Sequence, residues 1–260
     1  MKASYFEGHG GPEVLIYGDL PDPVPGPGEV IVDIHAASVN AADVKVLEGG
    51  TYGEVESFPY ILGRDFSGVV ASLGEGANDF AVGDPVFGVC ERGQEGTYAE
   101  KIAMDQALLT SKPDNLSHID AAALALPGLT AIISIEETIK LQADEKILIQ
   151  GGAGGVAGFA IELAKHIGAH VITTCSARNI DYVRRLGADE VIDYNAQDFT
   201  EILTDCDAVF ETVGGGVTQK SFAVLKPGGR LAGIASGPKA PDSPRDDVES
   251  LRPAVGRDRK

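Results

Sequence analysis

A run of glycines, GGAGGVAG at 151–158, could bind an anionic ligand through its backbone. It follows the apolar segment KILIQ at 146–150, which predicts a buried strand, and it opens GFAIELAKHIG at 158–168, whose apolar spacing predicts a helix. Glycine allows a tight turn, and the free N–H groups of a helix N-terminus attract anions. Because HVITT at 170–174 returns as a second strand, the pattern indicates a dinucleotide-binding turn more strongly than a bare structural turn.

The end of that second strand indicates which dinucleotide is bound. NAD-binding versions carry Asp or Glu about 20 residues after the glycines, where it holds the ribose 2′-hydroxyl. Here TTCSARN at 173–179 supplies Ser176 and Arg178 and no carboxylate. A hydroxyl and a guanidinium suit a 2′-phosphate, so the sequence favours NADPH over NADH. An ordinary solvated Arg178 is the alternative.

The surrounding elements divide the chain into two kinds of structure. From residue 126 onward strands alternate with helices, and EVID at 190–193, DAVFE at 207–211 and GRLAGIA at 229–235 are further strand candidates. This alternation predicts parallel pairing in a doubly wound α/β sheet over 126–236. The remainder, 237–260, is polar and Pro-rich, and we expect it to be irregular or disordered.

The first 125 residues show short β-like runs between Gly and Pro turns. The runs are EVIVDIHAASV at 29–39, SGVVASLG at 67–74, DPVFGV at 84–89 and TYAEKIAM at 97–104. Strands rich in Val and Ile at this spacing predict a compact, barrel-like β unit.

Composition narrows the class of protein. The net charge of −18 opposes binding of nucleic acid, and no apolar run reaches the roughly 18 uncharged residues that suggest a membrane span. The N-terminus lacks signal and transit patterns, so we expect a cytoplasmic protein with neither nucleic-acid nor membrane partners. The three cysteines, Cys90, Cys175 and Cys206, lie far apart and predict free thiols.

Eight segments together resemble the medium-chain dehydrogenase/reductase superfamily, in its zinc-free quinone oxidoreductase and enone reductase branch. They occur in the family's order over residues 1 to 236: ASVNAADVK at 37–45, FPYILGRDFSGVV at 58–70, VGDPVFG at 82–88, GTYAEK at 96–101, LPGLTA at 126–131, ILIQGGAGGVAG at 147–158, LGADEVIDY at 186–194 and LKPGGRL at 225–231. The resemblance implies a GroES-like catalytic domain at 1–125 followed by a Rossmann NADPH-binding domain at 126–236.

The resemblance also implies that the zinc chemistry of some relatives is missing. At the positions where zinc alcohol dehydrogenases hold the metal, this chain carries Asn40, Arg64 with Asp65, and Leu126. Leucine cannot ligate zinc and arginine repels it, so no metal site is expected. Without a metal to polarise a carbonyl, hydride transfer to a quinone or an α,β-unsaturated carbonyl is favoured over alcohol oxidation.

The resemblance assigns roles to individual residues. It implies that Asn40, Asp43 and Lys45 lie beside the nicotinamide and that Tyr52 neighbours the substrate, although turn, cap or surface roles are open alternatives. For the cofactor it implies contacts along the whole dinucleotide, made by Thr130, Gly152, Gly154, Gly155, Val156, Ser176, Arg178, Tyr194, Val213 and Gly214.

The resemblance further implies about 60 to 90 more residues after LKPGGRL, including a sixth sheet strand and the dimer edge. The sequence therefore predicts a C-terminally truncated chain with five of six strands and an exposed sheet edge, which makes a homodimer doubtful. A nucleotide-binding or interaction protein that kept cofactor affinity but lost turnover is a second interpretation. A damaged product with little stable fold is a third.

Overall fold

The computed structural model describes residues 1–50, 55–91, 93–235 and 237–256. The chain forms two compact units, residues 1–126 (the first unit) and residues 127–255 (the second unit). The first is rich in antiparallel strands, and the second contains one parallel sheet with helices. The predicted mixed α/β architecture is therefore confirmed.

Among its described residues, the first unit contains eight strands, one complete α-helix and the start of another. The strands form an antiparallel five-stranded sheet in the order β7-β3-β5-β6-β8 and a three-stranded sheet in the order β2-β1-β4. Their bounds are Lys2–Phe6 (β1), Ile16–Asp19 (β2), Glu29–Ala37 (β3), Tyr60–Ile61 (β4), Asp65–Leu73 (β5), Pro85–Val89 (β6), Lys101–Asp105 (β7) and Leu109–Ser111 (β8), with the helix Ala41–Leu47 (α1) after β3.

Alternation of apolar residues explains the larger of these sheets. Val30 and Val32 on β3, Phe66 and Val70 on β5 and Met104 on β7 are buried in one cluster, because successive side chains of a strand point to opposite faces. All four strands predicted in this half of the sequence are present, whereas β1, β2, β4 and β8 were not predicted.

The second unit is a doubly wound sheet. Six parallel strands lie in the order β11-β10-β9-β12-β13-β14. In chain order the elements are His118–Ile132 (α2, which begins in the first unit) with a π-helix at Ile133–Ile139, Lys146–Ile149 (β9), Gly155–Ile167 (α3), His170–Cys175 (β10), Ile180–Arg185 (α4), Glu190–Asp193 (β11), Cys206–Glu211 (β12), Gly216–Ser221 (α5), Leu225–Gly233 (β13) and Glu249–Leu251 (β14). Short 3₁₀ helices lie at Pro12–Val14, Gln106–Leu108, Ala177–Asn179, Phe199–Glu201 and Phe222–Val224.

The segment after residue 236 corrects two predictions. It was expected to be irregular and to leave the sheet with five strands, but β14 pairs in parallel with β13 and supplies a sixth. Arg245 fixes the approach to this strand, since its guanidinium donates to Phe222 O at 3.0 Å and to Leu225 O at 2.7 Å. Arg252 donates to Gly233 O at 2.7 Å. The sequence did not predict this strand because three residues in a polar segment are too few to show an alternating pattern. The contacts of the two arginines that hold the strand leave no periodic signal in the sequence either.

The helical segment His118–Ile139 is long and apolar enough to cross a membrane by length and composition, with a mean hydropathy of 1.6. Half of its apolar window is buried inside the protein. It is the one such segment among the described residues, and it is weak evidence for a membrane span.

Within the glycine turn, Gly152 packs too closely against β10 to carry a side chain. A Cβ added to Gly152 would overlap the hydroxyl of Thr173 on β10, whereas one added to Gly158 would lie 3.4 Å from Leu186 Cδ1, an ordinary contact. Position 152, and not position 158, therefore leaves no room for a side chain.

We expect Gly152→Ala to lower the free energy of unfolding by about 1 to 3 kcal/mol, because the added methyl group has no space. Gly158→Ala is the matched control and should raise it by about 0.5 to 1 kcal/mol, because alanine favours a helix over glycine. Urea denaturation of both variants measures the two changes. Equal effects at the two positions would contradict a tight contact at Gly152 alone.

Candidate cofactor and substrate sites

The glycine turn presents its backbone at the carboxyl end of β9. Gly151 has a φ of 69°, a left-handed conformation suited to glycine. Its N–H donates to Thr174 Oγ1 at 3.0 Å, and the N–H of Gly152 donates to Thr174 O at 2.9 Å. The helix α3 begins at Gly155 without a side-chain cap. Its first-turn N–H groups lack intrahelical acceptors and are suited to an anion.

A buried network of hydrogen-bonded polar side chains holds this turn in place. Thr174 Oγ1 donates to Gln150 Oε1 at 2.7 Å, and Gln150 Nε2 donates to Ser221 Oγ on α5 at 3.1 Å. Thr212 Oγ1 donates to Gln150 O at 2.8 Å. The ends of β9, β10 and β12 are thus joined by side chains. Sequence reasoning missed this network because polar residues inside a strand show no motif.

A buried glutamate shapes the turn after β12. Glu211 is fully buried, and its Oε1 accepts hydrogen bonds from the N–H groups of Val213 at 2.6 Å and Gly214 at 2.8 Å. Its Oε2 accepts from Thr218 Oγ1 on α5 at 2.8 Å. The predicted site residues Val213 and Gly214 therefore owe their backbone conformation to a carboxylate that the sequence analysis did not single out.

A cavity of about 690 Å³ opens at the carboxyl edge of the same sheet. It brings together Tyr194, after β11, and Val213, after β12, two of the predicted cofactor residues. Lys220 Nζ lies 2.6 Å from Asp198 Oδ2 in its wall, and this hydrogen bond, followed by those from the N–H and hydroxyl of Thr200, lowers the pKa of Asp198 to about 2. The lining is Gln150, Gly151, Thr174, Tyr194, Asn195, Ala196, Gln197, Asp198, Phe199, Val213, Val217 and Lys220.

The other predicted cofactor residues lie around this edge without lining that cavity. Ser176 follows β10 and accepts from Asn179 Nδ2 at 3.2 Å, and Arg178 is exposed in the adjoining 3₁₀ turn. Gly152, Gly154, Gly155 and Val156 form the turn itself and the start of α3. Thr130 is buried on α2, where its carbonyl accepts from Ser134 Oγ at 2.6 Å.

In the first unit, Asp65 is the centre of a buried hydrogen-bond cluster. Ser38 Oγ lies 2.8 Å from both of its carboxylate oxygens, Asn40 Nδ2 donates to Oδ1 at 2.8 Å, and Leu126 N donates to Oδ2 at 3.3 Å. Burial raises the pKa of Asp65, and the hydrogen bonds from Ser38, Asn40 and Leu126 oppose that shift. Asn40, Asp65 and Leu126, which are distant in sequence, therefore meet at one carboxylate.

A second buried cluster adjoins α1. Asp43 accepts from the Asn40 N–H at 2.7 Å and from Tyr98 Oη at 2.8 Å, and Arg64 Nε lies 3.5 Å from its other oxygen. The guanidinium of Arg64 also pairs with the buried carboxylate of Glu95. Burial, followed by the charge of Asp43, raises the pKa of Tyr98, so this phenol stays protonated.

The two predicted substrate residues on α1 differ in their exposure to solvent. Lys45 is exposed on α1, whereas Asp43 on the same helix is buried. Tyr52 lies outside the described residues. Among the residues that are described, no group of three or more His, Cys, Asp or Glu side chains has an arrangement that could hold a metal ion.

Comparison with known proteins places this geometry in a family. The alcohol dehydrogenase GroES-like domain matches residues 26–114, and the zinc-binding dehydrogenase model matches residues 155–255. A chloroplast envelope quinone oxidoreductase homolog of Arabidopsis thaliana is 32% identical over 251 residues, covering 92% of this chain and 76% of the relative. An NADPH-dependent alkenal/one oxidoreductase of the same plant is 32% identical over 243 residues, covering 90% of this chain and 62% of the relative.

Solved structures agree with these relatives. A quinone oxidoreductase of Pseudomonas syringae superposes with a TM-score of 0.90 at 31% identity, over 98% of this chain and 82% of that one. The Escherichia coli quinone oxidoreductase, solved with NADPH, gives a TM-score of 0.89 at 26% identity, over 98% and 81%. Fold and site thus define a nicotinamide-dependent oxidoreductase. More particularly, the chain belongs to the medium-chain dehydrogenase/reductase superfamily, in its quinone and enone reductase branch.

The cluster around Asp65 generates a prediction for stability. In Asp65→Asn one oxygen becomes an NH₂ group, which must face the Leu126 N–H or the Asn40 amide as donor against donor. We expect a loss of about 1 to 3 kcal/mol in the free energy of unfolding. Ser38→Ala, which leaves an acceptor for both other donors, is the control and should cost less. Chemical denaturation at neutral pH compares the two variants.

The difference in stability between wild type and Asp65→Asn is also expected to depend on pH. A raised folded-state pKa means that native Asp65 binds its proton more tightly than the unfolded chain does, so its contribution is complete below about pH 4 and falls as pH rises through the folded pKa. The stability of wild type relative to Asp65→Asn should therefore decrease from about pH 4 towards pH 7. An increase over that range would mean that the pKa is lowered instead.

Proposed function

We propose that this protein is an NADPH-dependent oxidoreductase that transfers a hydride to a quinone or an α,β-unsaturated carbonyl without zinc. The observation that carries the proposal is the uncapped glycine turn, which opens beside a large cavity at the carboxyl edge of a parallel sheet. Such an edge, where the strand order reverses between β10, β9 and β12, is where doubly wound sheets bind dinucleotides.

The cofactor fits the residues of the second unit. The N–H groups of Gly155 and Val156, with the close-lying backbone of Gly152 and Gly154, suit a diphosphate. The cavity beside Tyr194 suits adenosine, and the turn at Val213 and Gly214, with Thr130, suits the nicotinamide half. When bound, the reduced cofactor supplies the hydride.

The preference for NADPH rests on the end of β10. Arg178 is exposed, and no ion pair or hydrogen bond from its guanidinium is seen within the described part of the chain. The carboxylate nearest in register is Asp193, the partner of Cys175 on β11. Its Oδ1 accepts from the N–H of Asn195 at 3.0 Å, so this carboxylate is engaged in its own turn. Ser176 and Arg178 are thus suited to a 2′-phosphate.

Zinc does not fit the first unit, and the support comes from the donor set around Asp65. Three donors, Ser38 Oγ, the Asn40 amide and the Leu126 N–H, converge on that carboxylate. Zinc prefers thiolate, imidazole and carboxylate ligands, whereas two of the positions that meet here carry an amide and a leucine. Arg64 adds a positive charge that pairs with Asp43 and Glu95. We therefore assign no step to a metal.

On the substrate side, we assign different tasks to the predicted residues. The exposed Lys45 offers N–H donors to the oxygen of a substrate that gains charge on reduction. Asn40 donates its amide hydrogens to Asp65 and Ser38, which suits it to hold the start of α1 beside the nicotinamide. Asp43 is buried and accepts from Asn40 and Tyr98, which suits it to position α1 and not to contact substrate. Tyr52 keeps its proposed role as a substrate neighbour.

The substrate class is inferred from relatives together with this donor set. The relatives include proteins named quinone oxidoreductase and alkenal/one oxidoreductase. Quinones and enones spread the incoming charge along a conjugated system, so a few hydrogen-bond donors suffice for its stabilisation. A cytoplasmic location, the lack of nucleic-acid and membrane partners and the possible but doubtful homodimer stay predictions. Relatives include chloroplastic and mitochondrial proteins.

The proposal predicts cofactor selectivity. We expect Arg178→Ala to weaken NADPH binding by about 10- to 100-fold, because a charge-assisted hydrogen bond is lost, and to leave NADH binding unchanged. The control is Arg184→Ala, which removes an exposed arginine of α4 and should change neither affinity. Isothermal titration with both nucleotides measures this. An unchanged NADPH preference in Arg178→Ala would refute the assignment.

The proposal also predicts turnover. NADPH added to the wild-type protein should bind below millimolar concentration, and it should be oxidised when a simple quinone or enone is supplied, as followed by its absorbance. Tight binding without oxidation across a broad panel of acceptors would favour the second interpretation, a nucleotide-binding protein without turnover. Absence of NADPH binding at millimolar concentration would end both interpretations.

A further inference from the structure

Glu211 is a buried carboxylate for which the proposed chemistry has no direct use. It lies at the carboxyl end of β12 with no exposed surface. Burying a carboxylate is costly unless several donors surround it. Here three donors do so: the N–H groups of Val213 and Gly214 and the hydroxyl of Thr218. All three belong to the turn that follows β12 or to the helix after it.

The turn held by Glu211 is tightly bent and tied to the glycine turn. Gly214 and Gly215 have φ values of 90° and 60°, which side-chain-bearing residues rarely adopt. Thr212 donates to Gln150 O, and a Cβ added to Gly151 would lie 3.1 Å from both Thr212 Oγ1 and Val213 Cγ2. The two turns therefore lie in contact at the point where the strand order reverses.

The direction of the backbone follows from the hydrogen bonds. The peptide bonds before Val213 and Gly214 are trans, so each carbonyl points opposite to the N–H of the next residue. Because both N–H groups point at Glu211, the carbonyls of Thr212 and Val213 point away from it. Val213 is half exposed and lines the cavity. Two backbone acceptors are thus directed away from the buried side of the turn.

We infer that Glu211 is a positioning residue that directs the carbonyls of Thr212 and Val213 towards hydroxyl or amide donors on the nicotinamide half of the cofactor. The inference rests on the proposed dinucleotide binding. The diphosphate lies at the start of α3, after β9, and Ser176 and Arg178 after β10 take the phosphorylated adenosine. The turn after β12, on the opposite side of β9, then faces the other half.

The test compares two probes, NADPH and 2′,5′-ADP, which lacks the nicotinamide half. In Glu211→Ala both N–H groups lose their acceptor, so NADPH binding should weaken about tenfold or more while 2′,5′-ADP binding stays as in wild type. In Glu211→Gln one oxygen still accepts from both N–H groups and the amide can donate to Thr218 Oγ1, so affinity should stay near wild type. Thr218→Val is the matched control, since it removes the third donor and leaves the turn N–H groups paired.

The outcomes separate this inference from the proposed function. Equal weakening of both probes in Glu211→Ala, or no weakening of either, overturns the positioning role. Failure of wild type to bind either probe overturns dinucleotide binding itself. If Glu211→Ala does not fold, Glu211→Met replaces it, because methionine fills a similar volume without a carboxylate that could accept from the turn. The same selective loss of NADPH affinity is expected.

Discussion

The second unit depends on the contact between Gly152 and Thr173. Thr173 Oγ1 donates to Ile149 O at 2.6 Å, which joins β10 to β9 and leaves the hydroxyl no freedom to move. A side chain at position 152 would displace it, so only glycine lets the turn lie against β10. That contact fixes the level at which α3 begins, and therefore where its free N–H groups point. The proposed recognition of phosphate thus rests on a steric constraint between the glycine turn and β10.

In the first unit, buried hydrogen bonds hold the segments of the candidate substrate site together. Asp65 gathers donors from Ser38 just after β3, from the start of α1 and from the α2 backbone, although burial disfavours its charge. Asp43 and Arg64 join α1 to the segment that carries Glu95 and Tyr98. A metal would hold such segments through short bonds to few ligands. Here several directional hydrogen bonds join the segments, which makes them dependent on one another.

The sequence predicted elements whose signals lie close together in the chain, and it missed those that depend on tertiary contacts. Alternating Val and Ile residues predicted β3 and β5, and the local order of strand, glycines and helix predicted β9 to β10, because those signals lie within about 30 residues. The strand β14 was missed because its pairing with β13 and the anchors at Arg245 and Arg252 are tertiary contacts. Glu211 was read as the last residue of a strand, since nothing in DAVFE indicates that its carboxylate folds back onto the next turn.

Asp65 and Glu211 illustrate one physical solution used in both units. Each carboxylate is fully buried, sits at the end of a strand and accepts from donors of the adjoining turns or segments. A neutral amide cannot reproduce an acceptor on both sides without placing a donor towards one of them. Where that donor meets a hydroxyl, as at Thr218 beside Glu211, the hydroxyl can rotate and accept. Where it meets an N–H, as at Leu126 or Asn40 beside Asp65, no rotation helps, so the two sites differ in their tolerance of the same substitution.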